Sequence, residues 1–156
     1  MPLTHRTGDL FKSTDLRAVG HGCNACGKMG AGIAVSFKKK YPSMFFAYRD
    51  MCEAGLLMPG DVFPFVDNNG LVVYNLITQG CVSGRIQLAT LSAIEKSVSA
   101  MLTHAKFLKI GDENINIGIP KIGAGLGGLL WEDVENVLIQ CLSKADSSIN
   151  LIVHTL

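Results

Sequence analysis

Four residues near the start of the chain have side chains that could do chemistry: Asp9, His21, Asn24 and Lys28. An imidazole titrates near neutral pH, so His21 could serve as general acid or base. The Asn24 amide could hold a ribose hydroxyl or a water. The Lys28 ammonium could neutralise a phosphate. The Asp9 carboxylate, after Gly8, could accept a hydrogen bond from an exocyclic amine such as adenine offers. Three of them also have a structural reading. His21 fits a buried, hydrogen-bonded strand histidine, Lys28 a solvated loop lysine, and Asp9 a turn or capping aspartate.

Two glycine-rich segments surround this chemistry. The first is His21-Gly22-Cys23-Asn24-Ala25-Cys26-Gly27-Lys28-Met29-Gly30-Ala31-Gly32-Ile33-Ala34. The second is Ile119-Pro120-Lys121-Ile122-Gly123-Ala124-Gly125-Leu126-Gly127-Gly128, closed by Trp131. Each follows a strand-like apolar run and leads into a helix-like stretch. In that context backbone N–H groups converge on phosphate oxygens at a helix N-terminus. Two such loops point to one ligand with at least two phosphate or ribose units held between them. Neither loop carries the Lys-Ser/Thr of a P-loop, and the first lacks the G-x-G-x-x-G order of the dinucleotide fingerprint. Lys38, Lys39 and Lys40 read as a solvated helix end suited to the helix dipole. His5, His104 and His154 have no partner visible in sequence.

The elements that must position these residues alternate in type. Leu16 to His21 reads as a strand entering the first loop, after a strand or turn ending at Gly8-Asp9-Leu10-Phe11. Ala31 to Lys40 reads as a helix stopped by Tyr41-Pro42, and Ser43 as the cap of another that ends at Gly55. Asp61–Val66 and Leu71–Thr78 flank Asp67-Asn68-Asn69-Gly70, a hairpin signal. Leu88, Leu91, Ile94, Val98, Met101, Leu102 and Ala105 keep helical spacing, which predicts one amphipathic helix from Leu88 to Leu108. Ile115–Pro120 is apolar throughout, as in strands covered on both faces. Trp131–Lys144 reads as the last helix and Asn150–Leu156 as a terminal strand. The expectation is an α/β sandwich with a mixed, largely parallel sheet. Ligands in such sheets sit beyond the carboxyl ends of the strands, where both glycine loops fall.

The bulk numbers bound the answer. With 156 residues the chain is expected to form a single domain over 1–156. Apolar residues are 48% and charged ones 17%, a globular balance. The net charge of +1 gives no whole-chain drive toward nucleic acid or an anionic membrane, so neither is expected as a partner. No apolar run is long enough to span a bilayer, and no signal peptide is expected. The five cysteines, at 23, 26, 52, 81 and 141, show no disulfide framework, so a reduced, cytoplasmic protein is expected. Cys23-x-x-Cys26 lacks the second ligand pair that a structural zinc wants, so both read as plain loop residues with no metal and no cofactor.

Taken together, the Gly8-Asp9-Leu10 start, both loops, Trp131 and the ending Leu151-Ile152-Val153-His154-Thr155-Leu156 resemble macro domains nearly end to end. The branch resembled holds the terminal ADP-ribose protein glycohydrolase and the yeast-type ADP-ribose-1''-phosphate phosphatase. Met29-Gly30-Ala31-Gly32-Ile33-Ala34-Val35 with Phe37-Lys38-Lys39-Lys40 looks most like the former, and His21-x-Cys23-Asn24 with Gly27 most like the latter. The resemblance implies a three-layer α/β/α sandwich and a cleft for ADP-ribose. By position, Asp9 with Leu10 would meet the adenine. Lys28, Met29, Gly30, Ala31, Gly32 and Ile33 would cradle the diphosphate and proximal ribose. Ile122, Gly123, Ala124, Gly125, Leu126 and Gly127 would close over the phosphates and distal ribose, with His21 and Asn24 beside that ribose as catalytic residues. Two departures matter. The glycohydrolases resembled use a lysine after a Leu-Ile-Thr strand end and an aspartate after Gly-Leu; here these positions hold Gln79 and Gly127. An amide cannot form the lysine adduct. The implied activity is therefore hydrolysis of ADP-ribose 1''-phosphate by a monomer. The alternatives are an ADP-ribose reader without turnover, and a hydrolase that removes ADP-ribose from its attachment with a positioned water instead of a lysine.

Overall fold

The computed structural model describes residues 3–156. Seven strands form one mixed sheet: β1 (Leu3–Thr7), β2 (Ala18–Asn24), β3 (Val62–Val66), β4 (Val72–Val82), β5 (Arg85–Ala89), β6 (Ile115–Ile119) and β7 (Ile149–Thr155). The order is β1-β7-β6-β2-β4-β3, with β5 also on β4. The pairs β1–β7, β7–β6, β6–β2 and β2–β4 are parallel, and β3 and β5 run antiparallel to β4. Among the described residues four α-helices cover the sheet: α1 (Ile33–Lys40), α2 (Pro42–Glu53), α3 (Leu91–Ala105) and α4 (Trp131–Ser143). The expected three-layer α/β/α sandwich is what the chain adopts.

Strand alternation divides the core in two. On β2, Val19 and Cys23 face α1 and α2, joining Phe37, Met44 and Tyr48. Ala18 faces the other way, toward the α3 and α4 residues Ile94, Val98, Met101, Val134 and Leu138. On β4, Val73 and Ile77 follow the first set, while Val72, Tyr74 and Leu76 follow the second. Ile115, Ile117 and Ile119 of β6 are at most 2% exposed, and burying each contributes roughly 2 kcal/mol.

Local chemistry sets the element ends. Thr90 accepts from the Ala93 N–H at 3.1 Å and caps α3. Pro42 opens α2, where its missing N–H costs nothing. Tyr41, not Ser43, is therefore the residue that flanks this helix. The Asp67–Gly70 turn closes as expected, with the Asp67 N–H donating to the Leu71 carbonyl at 2.8 Å.

One element differs in kind. Leu88 does not start a helix; it lies on β5, and α3 begins at Leu91. The spacing of Leu88 to Leu91 fits a helix by accident, because backbone pairing with β4 holds Leu88 extended. Ser83 and Gly84 make the preceding turn with φ of 50° and 76°, the left-handed pair that suits a tight hairpin.

Candidate functional site

The carboxyl ends of β2, β4 and β6 open into a cleft of about 710 Å³. Its first wall is Asn24 with Lys28–Ala34, leading into α1. Pro120–Gly127, following β6, makes the second wall, and Thr78, Gln79, Ile86, Gln87 and Leu88 of the β4–β5 hairpin make the third. The two glycine loops thus meet over one space. A Cβ placed on Gly32 would lie 3.4 Å from Leu126 Cδ1, so the loops touch across the cleft mouth.

Asn24 shapes the first loop. Its Oδ1 accepts from the Cys26 N–H at 3.0 Å and the Lys28 N–H at 3.3 Å, and its Nδ2 donates to the Lys28 carbonyl at 2.8 Å. The buried Tyr48 hydroxyl donates to the Asn24 backbone carbonyl from beneath, 3.0 Å from Oδ1. Burial pushes the Tyr48 phenol well up, so it stays protonated and remains a donor. Asn24 is 8% exposed and lines the cleft, and its Nδ2 keeps a second hydrogen beyond the one given to Lys28.

His21 is not in the cleft. It is fully buried on the α1/α2 side, stacked on Phe37 with ring centroids 3.8 Å apart. Its Nε2 donates to Asn75 Oδ1 at 2.7 Å, an orientation set by Asn75 Nδ2 donating to the Phe63 carbonyl. Nδ1 has no partner. Desolvation lowers the imidazole to about 4, so the ring is neutral near pH 7. The catalytic role expected for His21 is corrected on this ground: strand parity turns it toward the core, in step with Val19 and Cys23. Cys23 Sγ lies 3.3 Å from His21 Nε2, but burial pushes this thiol well up, so the pair makes no thiolate.

Asp9 and Leu10 also lie outside the cleft lining. Asp9 accepts from the Phe11 N–H at 2.9 Å and caps the 3-10 turn Leu10–Lys12, while Leu10 is 3% exposed in the α1/α2 core. The turn and capping reading of Asp9 is the one the structure displays. Lys28, Met29, Gly30, Ala31, Gly32, Ile33, Ile122, Gly123, Ala124, Gly125, Leu126 and Gly127 all line the cleft. The β5 residues Ile86, Gln87 and Leu88 were missed as lining. The Ser83-Gly84 turn between two strand-like runs was the signal that could have found them.

Cys26 and Cys81 form a disulfide. This corrects the expectation that all five cysteines are reduced. It also removes Cys26 from any zinc reading, since the partner comes from β4 and not from Cys23. Gln79 closes the β4 side, donating through Nε2 to the Gln87 carbonyl at 3.0 Å. Among the described residues that line the cleft, the charged ones are Lys28 and Lys121, with no carboxylate and no imidazole. Such a site can bind an anion through these two cations and the loop N–H groups.

Comparison with known proteins bears on this geometry. A DNA ADP-ribosyl glycohydrolase of Mycobacterium tuberculosis is 32% identical over 146 residues, covering 91% of this chain and 39% of that protein. The chain thus spans about 39% of that relative's length. The human ADP-ribose glycohydrolase OARD1 is 30% identical over 154 residues, covering 99% of this chain and 91% of that one. An ADP-ribose 1''-phosphate phosphatase of Lodderomyces elongisporus is 28% identical over 151 residues, 88% of this chain and 91% of that one. Among solved structures, the macrodomain of Mycobacterium tuberculosis DarG superposes with a TM-score of 0.82 at 28% identity, covering 99% of this chain and 97% of that one. The Macro domain family model matches residues 21–138, the span from the buried histidine through both glycine loops to α4, and the chain belongs to the macro domain family.

Proposed function

We propose that the cleft binds ADP-ribose and that the chain hydrolyses ADP-ribose derivatives, with ADP-ribose 1''-phosphate as substrate. The observation that carries the binding reading is the meeting of two glycine loops over one cleft at the strand ends, Gly32 against Leu126. Main-chain N–H groups there serve a diphosphate without charge of their own. Relatives named as a DNA ADP-ribosyl glycohydrolase, an ADP-ribose glycohydrolase and an ADP-ribose 1''-phosphate phosphatase support the hydrolase reading.

The reaction follows from what the cleft lacks. With Gln79 at the β4 end and Gly127 in the second loop, the lysine-adduct route is closed. Apart from the Lys28 and Lys121 ammonium groups, the described residues of the cleft lining include no carboxylic acid or imidazole to give a proton to a basic leaving group. A phosphate departs as a stable anion and needs none. The N–H groups of the second loop and the first loop's helix end stabilise the charge that develops on it. A water oriented by Asn24 Nδ2 and Gln79 Oε1 attacks C1'', the C1''–O bond to the phosphate breaks, and the departing phosphate takes up the water's proton.

Calorimetry with ADP-ribose and phosphate release from ADP-ribose 1''-phosphate test the two parts. The expected result is saturable binding together with phosphate release that falls about a hundredfold in Gln79→Ala, from loss of the water's positioning, while ADP-ribose affinity holds. Phosphate release no faster than in the absence of protein removes the phosphatase reading. Binding without turnover favours a reader instead, a second reading motivated by Gln79 and Gly127 in place of the lysine and aspartate. Failure to bind ADP-ribose removes both.

A further inference from the structure

We propose that the Cys26–Cys81 pair is a redox-modification site that sets the affinity of the cleft: oxidised, it locks the two walls together, and reduced, it releases them. The inference rests on the ADP-ribose reading above, and on where the bond sits. The parallel ladder of β2 with β4 runs in register to Cys23↔Ile77, then slips so that Asn24 meets Gln79. The last backbone link there is the Ala25 N–H donating to the Gln79 carbonyl at 2.9 Å. The disulfide lies just beyond it, where the ladder has ended. It joins Cys26, between Asn24 and Lys28 of the first loop, to Cys81, two residues past Gln79 on the β4–β5 hairpin. Each partner is continuous with residues that line the cleft.

Accessibility makes this bond a reversible one. Cys26 and Cys81 are both half-buried, so a small thiol reaches the sulfurs. Of the three free thiols, Cys23 and Cys141 are buried and Cys52 is half-buried, and burial pushes all three up, which keeps them protonated and poor partners in exchange. The co-reactant is a dithiol reductant. Its thiolate attacks one sulfur of the pair and the S–S bond breaks. The second thiol then resolves the mixed disulfide, so two electrons and two protons pass to Cys26 and Cys81 and the reductant leaves as its own disulfide. With the link gone, the first loop keeps the Asn24 and Tyr48 hydrogen bonds but loses its tether to the hairpin. Binding must then order both walls, and the cost appears as lost affinity.

The experiment compares the intact chain before and after dithiothreitol. Alkylation under denaturing conditions counts thiols, calorimetry measures ADP-ribose affinity, and hydrogen exchange follows residues 25–34 and 79–89 without ligand. The expected result is two additional alkylated thiols on reduction, affinity weaker by about fivefold or more, and faster exchange in both segments. Cys26→Ser and Cys81→Ser should each bind like the reduced wild type and ignore the reductant. Unchanged affinity on full reduction, or no gain of two thiols, overturns the proposal. If neither form binds ADP-ribose, the functional reading fails. Exchange in the two segments then decides the coupling separately: unchanged exchange overturns it, and a joint increase sustains the lock.

Discussion

The two glycine loops look alike in sequence and are held in opposite ways. The first is tied from outside. Asn24 grips the Cys26 and Lys28 backbone, Tyr48 holds Asn24 from α2, and Cys81 anchors Cys26 from β4. The second is held mostly by its own backbone. The Gly127 N–H reaches the Ala124 carbonyl at 3.4 Å, Gly128 reaches Gly125 at 3.0 Å, and Leu129 reaches Gly123 at 2.9 Å. Leu126 at its tip is 69% exposed. A loop built from short-range backbone bonds resists little beyond its own turn, whereas one fixed by distant partners is part of the sheet. The first loop therefore reads as the rigid cradle and the second as the wall that adapts.

The largest expected effect is on the tether. Cys81→Ser frees a loop closed over 55 residues, which by chain entropy costs about 4 kcal/mol of stability in denaturant titrations run without reductant. A loss near zero would mean that the first loop does not depend on this anchor. Next comes the histidine beneath that loop. Its ordinary value of 6.5 falls to about 4 on folding. Below pH 6.5 the unfolded chain takes up a proton that the folded chain refuses until about pH 4. Stability is thus full above 6.5 and drops by about 3 kcal/mol across that window. Denaturant titrations at several pH values measure it, and His21→Asn should flatten the slope.

Effects on the second loop are expected to be local and smaller. Gly123 has φ +76°, and a Cβ there would lie 2.6 Å from Ile94 Cδ1. Gly123→Ala should cost about 2 kcal/mol from strain and overlap and weaken ADP-ribose binding sharply. Tyr48→Phe returns to the first loop and removes one donor from a buried carbonyl, for about 1 kcal/mol. Leu126→Ala sets the floor of the comparison: stability within about 0.5 kcal/mol, because the side chain is exposed, and a change confined to ligand affinity. Were Leu126→Ala to destabilise more than Tyr48→Phe, the contrast between the loops would be wrong.

The elements around the cleft were largely legible. The apolar stripe from Ile94 to Ala105 marked α3, the unbroken run Ile115–Ile119 marked a buried strand, and the glycine spacing marked both loops. Illegible parts share one cause. Leu88 matches a helical period as well as a strand position, and the pairing of β5 with β4 decides between them. Cys81 meets Cys26 only once β2 and β4 lie side by side. His21 sits at the mouth of a glycine loop in sequence, yet the parity of β2 turns it beneath the cleft and onto Phe37.

By itself, the amino-acid sequence determined the alternation of elements, both loops and the absence of a nucleophilic lysine at position 79. These depend on residue type and short-range periodicity, which the chain carries at every position. Only the tertiary structure decided which side chains share the cleft, that His21 leaves it, and that a disulfide joins two of its walls. Those outcomes depend on which strands become neighbours and which face each side chain takes. A single residue of register reverses the face, so no local pattern encodes it.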